Sequence, residues 1–362
     1  MNEFWSNCIR AIEPYTPGEQ PGTERLIKLN TNENPYPPSP AVLRALQAAA
    51  NADLRLYPDP DSKVVKQAIA DLHDIAQDNV FIGNGSDEVL AHAFLGLLKH
   101  ELPILFPDVT YSFYPVYCAL YGIQFEAVPL DAAFHVNVAE YARPNGGIVL
   151  ANPNAPTGIA LEISQIRSLL QVCTRSVVVI DEAYVDFGAQ SAVSLIKEYP
   201  NLLVVQTLSK ARSLAGLRVG FAIGDRGLIE ALNLVKNCFN SYPMDRLALA
   251  GAEAALKDKP YFETTRRQIM QSRDWLASEV VTLGFEVLSS KANFIFVRHP
   301  LHRAVDIQRE LRQRRVLVRH FTKPRIAEFL RITIGTIEEC EQLVRTLREV
   351  LRHEPSAPVA SA

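Results

Sequence analysis

The feature that most limits how this chain can fold is a series of short apolar runs separated by stretches of helical length. Each run is strand-sized and apolar at every position, so both of its faces have to be buried. The runs are Ile104–Phe106, Ile148–Leu150, Val177–Ile180, Leu202–Val205 and Val219–Ile223. Strands of this kind, alternating with helices, are typical of a parallel sheet that is covered by helices on both sides. The sequence therefore predicts an α/β fold.

The rest of the chain predicts a second, smaller unit. After about residue 245 a long charged helix at 258–283 precedes a set of strand candidates, which are Phe285–Leu288, Asn293–Val297, Val316–Val318 and Leu330–Ile334. Residues 1–40 are rich in Pro, Asn and Gly and predict an irregular arm. We expect a large domain at 41–245 and a small α+β domain formed by residues 246–362 together with the arm.

Composition excludes several classes of function. A net charge of −3 gives no electrostatic reason to expect nucleic acid or an anionic membrane as partner. The apolar runs are too short to span a membrane, and the N-terminus lacks the pattern of a signal peptide. The five cysteines are scattered and form no C-x-x-C pair, which predicts neither a disulfide framework nor a metal site. We expect a reduced, cytoplasmic enzyme.

Ligands of open α/β sheets bind beyond the carboxyl ends of the strands, so the residues that follow the apolar runs are the informative ones. Lys210 follows one run, and Arg218 precedes the next. Most lysines are solvated surface residues. A partly desolvated amine near a cation would instead have a lowered pKa and would attack an aldehyde. Thr207, Ser209 and Arg218 could then hold a phosphate.

Asp181 ends the run Val177–Ile180 and is followed by Tyr184. A lone Asp at a strand end commonly caps a helix. Its functional role would be to pair with a protonated pyridine nitrogen, a charged form that a nearby carboxylate favours. Tyr184 could donate a hydrogen bond to an oxygen on the same ring. Tyr111, which follows another run, could stack on that ring, although an aromatic residue in a loop is usually packing.

Two loops with turn-forming residues complete the candidate site. Gly83–Glu88 lies between the strand Val80–Ile82 and a helix that starts near Asp87, so Gly85, Ser86 and Asp87 could bind a phosphate through free N–H groups. The alternative is that Ser86 and Asp87 only cap the helix. The loop lacks the third glycine of a dinucleotide fingerprint and the lysine of a P-loop. Asn152–Gly158 is either a plain turn or a second ligand loop.

Together these residues resemble the fold-type I aminotransferases that depend on pyridoxal 5′-phosphate (PLP), over nearly the whole chain. Within that superfamily, three motifs resemble the histidinol-phosphate aminotransferase family. They are Leu29–Pro35 (LNTNENP), Thr207–Ala211 (TLSKA) followed by Ala215–Arg218 (AGLR), and Leu330–Thr336 (LRITIGT). The resemblance implies a mainly parallel seven-stranded sheet, PLP as cofactor and a homodimer.

The resemblance also implies roles for individual residues. Lys210 is the Schiff-base lysine, Asp181 pairs with the pyridine nitrogen, and Tyr184 meets the 3′ oxygen. The remaining cofactor contacts are assigned to Gly85, Ser86, Asp87, Tyr111, Asn154, Thr207, Ser209 and Arg218, with Tyr57 reaching the cofactor phosphate of the partner subunit. The substrate contacts are assigned to Tyr15, Asn30, Arg319 and Arg331.

One position departs from the family pattern. The family that the sequence resembles usually has an asparagine immediately before the Pro-Thr-Gly of the Asn152–Gly158 loop, and that asparagine bonds the 3′ oxygen. Ala155 stands there in this chain. Either Asn154 or Asn152 reaches the oxygen instead, or Tyr184 serves alone.

The resemblance implies transamination of L-histidinol phosphate with 2-oxoglutarate, giving imidazole acetol phosphate and L-glutamate in histidine biosynthesis. The nearest alternatives share the cofactor machinery: an aromatic or phenylalanine aminotransferase, and a decarboxylase of a phosphorylated amino acid. A non-catalytic binding protein is a third alternative, but it would not need Lys210 together with Asp181, Tyr184 and Arg218.

Overall fold

The computed structural model describes residues 3–6, 9, 12–20, 22 and 26–352. Two sheets organise this part of the chain. The strands, in chain order, are β1 Ile27–Leu29, β2 Val80–Asn84, β3 Ile104–Pro107, β4 Phe125–Val128, β5 Gly147–Ala151, β6 Val178–Asp181, β7 Leu202–Thr207, β8 Val219–Gly224, β9 Glu286–Val287, β10 Phe294–Arg298, β11 Val316–His320 and β12 Leu330–Thr333. Each of the five apolar runs corresponds to a strand, with Val177 lying just before the start of β6.

The helices, in chain order, are α1 Pro40–Ala49, α2 Lys63–His73, α3 Gly85–Leu97, α4 Tyr114–Tyr121, α5 Ile163–Val172, α6 Arg226–Phe239, α7 Arg246–Lys257, α8 Lys259–Thr282, α9 Ala304–Gln313 and α10 Ile337–Val350. Local sequence explains where several of them begin. The long charged helix α8 has Asp258 as its N-cap and a proline in its first turn. Helix α10 begins with a capping box between Thr336 and Glu339. In the described part of the chain, no helix is both long enough and apolar enough to cross a membrane.

The larger sheet has seven strands in the order β2-β8-β7-β6-β5-β3-β4. Neighbouring strands pair in parallel except where β8 pairs with β7 and β2. Alternate residues of the central strands enter two separate cores. In β6, for example, Val178 and Ile180 pack on one face and Val179 on the other. The prediction of a mainly parallel seven-stranded sheet covered by helices on both faces is confirmed.

The antiparallel direction of β8 matters for the site. Because β8 runs against its neighbours, its first residues lie at the same edge as the last residues of β7 and β2. Gly220 pairs with Thr207 and with Gly83. Arg218, which directly precedes β8, is thereby brought to the edge where the parallel strands end. The sequence predicted the strand and did not specify its direction.

The smaller sheet has five strands in the order β1-β11-β12-β10-β9. Its strands pack on α8, α9 and α10 around a separate core. The prediction that residues 1–40 form only an irregular arm is wrong at Ile27–Leu29, which pairs in parallel with Val316–Val318. The segment that follows Leu29 therefore leaves the small sheet from a fixed position and enters the space between the two sheets.

Candidate active site

A cavity lies at the edge of the large sheet where the parallel strands end. It is bordered by the ends of β5, β6 and β7, by the start of α3 and by residues of the small sheet. The residues that line it are Tyr15, Gly18, Asn30, Thr31, Asn32, Ser86, Asp87, Tyr111, Ala151, Pro153, Ala155, Asp181, Ala183, Tyr184, Thr207, Ser209, Lys210, Arg218, Arg319 and Arg331. Most of the residues that the sequence singled out are therefore brought together.

Lys210 presents its amine to this cavity. Its Nζ donates to the backbone carbonyl of Thr31 at 3.3 Å and lies 5.9 Å from the centre of the Tyr184 ring. Burial, together with the positive charge of Arg331, lowers the pKa of Lys210 to about 8. A substantial share of the amine is then neutral near physiological pH, as a nucleophile or a general base requires.

Asp181 is a buried carboxylate at the end of β6. One of its oxygens accepts a hydrogen bond from the Tyr114 hydroxyl at 2.9 Å, and the other accepts from the backbone N–H of Ala183 at 3.2 Å. Burial raises the pKa of Asp181 to about 6, against the lowering effect of these two hydrogen bonds. No Lys, Arg or His of the described residues forms an ion pair with it. The site thus holds a buried carboxylate that lacks a cation.

Tyr114 was missed by the sequence reasoning. It is fully buried on α4, where its ring packs against Phe94 and Phe106 at centroid distances of 6.0 and 5.8 Å. An aromatic residue of this kind looks like ordinary core in the sequence. Only the three-dimensional approach of α4 to the end of β6 brings its hydroxyl to Asp181.

An anion-binding end of the cavity is formed where α3 begins. The helix starts at Gly85, so Ser86 and Asp87 lie in its first turn. The alternative interpretation of these two residues as N-caps is wrong, because Asn84 occupies that position. Free N–H groups in a first turn, with the positive end of the helix dipole, favour an anion. Gly85 has a φ of +81°, and a Cβ there would lie 2.5 Å from Nη2 of Arg218.

Three side chains complete this anion site: Thr207 at the end of β7, Ser209 just after it, and Arg218 just before β8. Thr207 Oγ1 lies 3.0 Å from Ser209 Oγ, and Arg218 Nη1 lies 3.5 Å from the same Ser209 oxygen. Arg218 also forms an ion pair with Asp87 at 3.2 Å. Asp87 in turn accepts a hydrogen bond from the Tyr111 hydroxyl at 3.0 Å. These contacts hold the guanidinium and the aromatic ring in place beside the cavity.

The Asn152–Gly158 loop does not present its asparagines to the cavity. Asn154 Oδ1 accepts from Thr110 at 2.8 Å, and its Nδ2 donates to the carbonyl of Val109 at 2.9 Å. Asn152 binds the backbone N–H of Leu161 through Oδ1 at 2.7 Å. The structure therefore does not bring Asn154 to the position that the sequence predicted for it, because its amide is used to hold the loop.

Tyr184 closes one side of the cavity, and its hydroxyl accepts a hydrogen bond from Asn32 Nδ2 at 2.9 Å. Ala155 also lines the cavity, without a polar side chain. Asn32 is a second residue that the sequence reasoning missed, although it stands within the Leu29–Pro35 motif. Its left-handed backbone, with a φ of +55°, is the conformation that asparagine tolerates best after glycine.

The opposite wall carries two arginines. Arg331, on β12, donates through Nη2 to the carbonyl of Asn30 at 3.0 Å, and its Nε is buried with no hydrogen-bond partner among the described residues. Arg319, on β11, binds the carbonyls of residues 16 and 17 at 3.2 and 3.3 Å. Tyr15 stacks on Phe113 with centroids 5.0 Å apart. This wall offers positive charge and unused donors to an anionic ligand.

Tyr57 lies outside the cavity. Its side chain is 79% exposed, and its ring stacks on Tyr242 with centroids 4.7 Å apart. Tyr57 is therefore not among the residues that line the cavity of its own chain.

Taken together, the fold and the cavity define an enzyme that handles a phosphorylated ligand with a reactive amine and a buried carboxylate. Residues 24–347 match the sequence model of the family "Aminotransferase class I and II", and the chain belongs to this family.

Among its relatives, histidinol-phosphate aminotransferase 1 of Pseudomonas fluorescens strain Pf-5 is 58% identical over 350 residues, which are 97% of this chain and 100% of that protein. Histidinol-phosphate aminotransferase 1 of Bradyrhizobium diazoefficiens is 59% identical over 351 residues, again 97% and 100%. A solved structure of histidinol-phosphate aminotransferase from Sinorhizobium meliloti, in complex with pyridoxal-5′-phosphate, has a TM-score of 0.88 at 25% identity and covers 97% of this chain and 98% of its own.

Proposed function

We propose that this chain catalyses the PLP-dependent transamination of L-histidinol phosphate with 2-oxoglutarate, which gives imidazole acetol phosphate and L-glutamate in histidine biosynthesis. The observation that supports this most strongly is the lining of the cavity. It contains Lys210, whose pKa is lowered, Asp181, a buried carboxylate without a cation, and an anion site at the start of α3. Relatives at 58% and 59% identity, named for this activity and matched over their whole length, support the choice of substrate.

The residues of the cavity fit PLP. Asp181 would face the ring nitrogen, where a protonated heterocycle supplies the cation that the carboxylate lacks. The start of α3, Ser209 and Arg218 would hold the phosphate. Lys210 would bond to the aldehyde carbon. When bound, PLP supplies an electron sink for the electron pair that is released at the α-carbon of the substrate.

The chain's own side chains then carry the proton and position the substrate. With PLP in place, the Nζ of Lys210 would take the proton from the substrate α-carbon. Its pKa of about 8 keeps part of it in the basic form at neutral pH. Asp181, which is buried at the end of β6, would stabilise a proton on the ring nitrogen.

Arg331 and Arg319 support the use of two different anions in the two half-reactions. A guanidinium fork binds a phosphate or a carboxylate equally well in geometry. The same wall would therefore receive the phosphate of histidinol phosphate first and the carboxylates of 2-oxoglutarate second. We expect ping-pong kinetics, because the second substrate enters the space that the first product leaves.

We further propose a homodimer, with Tyr57 reaching the cofactor phosphate of the partner subunit. Exposed apolar side chains around Tyr57 support it, since a patch of this kind on a folded surface marks a protein contact. They are Leu54 and Leu56, which are near neighbours in the sequence, and Tyr242, on which the Tyr57 ring stacks. Sedimentation analysis of the wild type tests the dimer. The PLP affinity of a Tyr57→Phe variant, compared with that of the wild type, tests the contact with the cofactor phosphate.

The division into a large domain at 41–245 and a small domain formed by the remaining residues, as well as a cytoplasmic location, stay predictions. The two sheets and their separate cores support a division into two units, but α7 packs in the core of the large sheet, which favours a boundary after α7. Limited proteolysis followed by mass spectrometry would test where the chain separates.

The decisive experiment is a panel of amino donors with 2-oxoglutarate as acceptor. The panel contains L-histidinol phosphate, L-histidine and L-phenylalanine, and kcat/KM is compared between them. We expect histidinol phosphate to exceed phenylalanine by at least about 100-fold, because the phosphate adds charged contacts to two arginines. Preference for phenylalanine would identify an aromatic aminotransferase. Release of carbon dioxide without glutamate formation, from a phosphorylated amino acid such as O-phospho-L-threonine added to the panel, would identify a decarboxylase.

A further inference from the structure

The segment that follows β1, residues 30–34, contacts two side chains that line the cavity, Lys210 and Tyr184. The carbonyl of Thr31 accepts from Lys210 Nζ at 3.3 Å. The next residue, Asn32, donates through Nδ2 to the hydroxyl of Tyr184 at 2.9 Å. Because β1 is anchored in the small sheet, this segment has a defined position relative to the site.

Asn32 is held in one orientation by Thr333. The backbone N–H of Asn32 donates to Thr333 Oγ1 at 2.9 Å, and the same hydroxyl donates to Asn32 Oδ1 at 3.0 Å. Asn293 Nδ2 donates to the Asn32 carbonyl at 3.1 Å. With Oδ1 occupied by a donor, the NH₂ group of the amide has to face Tyr184. Asn32 is 1% exposed, so water does not compete for these contacts.

The direction of this hydrogen bond decides where the Tyr184 proton goes. An amide NH₂ is only a donor, so the phenol oxygen accepts, and the hydroxyl proton is left free to point into the cavity. Burial raises the pKa of Tyr184, although Arg331 and the Asn32 hydrogen bond lower it, so the phenol stays protonated at neutral pH. The charged groups that act on this hydroxyl are Arg331, Asp181 and Asp87.

The need for such a device follows from the Asn152–Gly158 loop. Ala155 offers no polar side chain to the cavity, and the amides of Asn152 and Asn154 are already bound to Leu161, Thr110 and Val109. Tyr184 is then the side chain of this region that can donate to the ring oxygen of the cofactor. We propose that Asn32 is a positioning residue that directs the Tyr184 hydroxyl proton toward that ring oxygen. The inference rests on the proposed function, since it requires bound PLP.

Substitutions at Asn32 test this role without disturbing the left-handed backbone. Asn32→Asp is isosteric, and the carboxylate would accept the Tyr184 proton and withdraw it from the cavity. Asn32→Gly removes the donor and is neutral, and glycine adopts a φ of +55° without strain. Tyr184→Phe removes the hydroxyl itself. Asn293→Ala is the matched control, because it removes a hydrogen bond to Asn32 and leaves the amide contact to Tyr184 in place.

The measurement is the apparent pKa of the near-UV to violet absorption band of the PLP-loaded protein, titrated without substrate. A ring oxygen that loses a donor becomes more basic, and the apparent pKa rises. We expect Asn32→Asp and Tyr184→Phe each to raise it by about half a unit to one unit. Asn32→Gly should shift it in the same direction by less, and Asn293→Ala should leave it unchanged.

The double variant Asn32→Asp with Tyr184→Phe separates the effect of the hydroxyl from the effect of an added charge. If Asn32 acts through Tyr184, the Asp substitution has little further effect once the hydroxyl is gone. Equal shifts in both backgrounds, or no shift in either, would overturn the inference while the wild-type band still supports the proposed function. Absence of any band in PLP-treated wild type would overturn both.

Discussion

Replacing Tyr114 by Phe should make cofactor binding depend more strongly on pH. The Tyr114 hydroxyl donates to Asp181 at 2.9 Å in a fully buried environment. A hydrogen bond to a charged group contributes about 1.5–3 kcal/mol, which corresponds to about one to two pKa units. Because the bond stabilises the carboxylate, its loss raises the pKa of Asp181 from about 6 to roughly 7–8.

The consequence for binding follows from the charge of Asp181. At pH 7 the ionised fraction of the carboxylate should fall from about nine tenths to between roughly one half and one tenth. Only the ionised form pairs with a protonated ring nitrogen, so affinity at pH 7 should fall by about twofold to tenfold. The ratio of variant to wild-type affinity should return toward one as the pH rises to about 9, where both proteins are ionised.

Pyridoxamine 5′-phosphate is the probe for this measurement, since it has no aldehyde and the titration of Lys210 does not enter as a covalent step. Fluorescence or calorimetric titration between pH 6 and 9 gives the affinity ratio. Tyr117→Phe is the matched control, because Tyr117 is a buried tyrosine of the same helix that donates to the carbonyl of Asp87 and not to Asp181. An affinity ratio that does not change with pH would refute the reasoning.

Three further outcomes are expected. Lys210→Ala should abolish turnover, with kcat reduced by at least about 1,000-fold in single-turnover assays, and retention of more than a small fraction would exclude its role as base. Gly85→Ala should weaken PLP binding, measured by equilibrium dialysis, because a Cβ there would lie 2.5 Å from the guanidinium of Arg218 and the residue holds a φ of +81°; unchanged affinity would argue against the phosphate cradle. Arg331→Lys should lower kcat/KM by about 10–100-fold for both substrates, mainly through KM, because a point charge replaces a bidentate fork; an effect on one substrate alone would contradict a shared anion site.

The strand ends could be predicted because burial on both faces leaves few alternatives. Runs such as Val177–Ile180 fix the strand and therefore the edge at which Asp181 and Lys210 meet. By contrast, β4 at Phe125–Val128 is an edge strand with mostly exposed residues, so it lacks the apolar pattern and went unpredicted. The parallel pairing of Ile27–Leu29 with β11 depends on a partner far along the chain, which no local pattern reveals.

The neutral side chains that hydrogen-bond to the reactive residues of the site could not be predicted, for a different reason. The sequence identifies residue types with chemistry of their own, such as a lysine or an aspartate at a strand end. It does not show which neutral side chain will donate to them. Tyr114 reads as core because its ring is core, and only its oxygen serves Asp181. The loop asparagine Asn154 reads as a ligand because of its motif, although its amide holds the loop.

The same distinction explains how the site tolerates Ala155. Ala155 has no polar side chain, so it cannot supply a donor to a ring oxygen of the cofactor that we propose. In our proposal the donor is Tyr184, which packs against the same small cluster as Ala155 and whose hydroxyl proton is left free by Asn32. Both residues are fixed by elements far apart in sequence, β1 and the end of β6, that come together only when the small sheet packs against the large one. The orientation of a single proton at the active site therefore depends on how the two sheets pack together, and a substitution at Thr333 would alter it without touching the ligand.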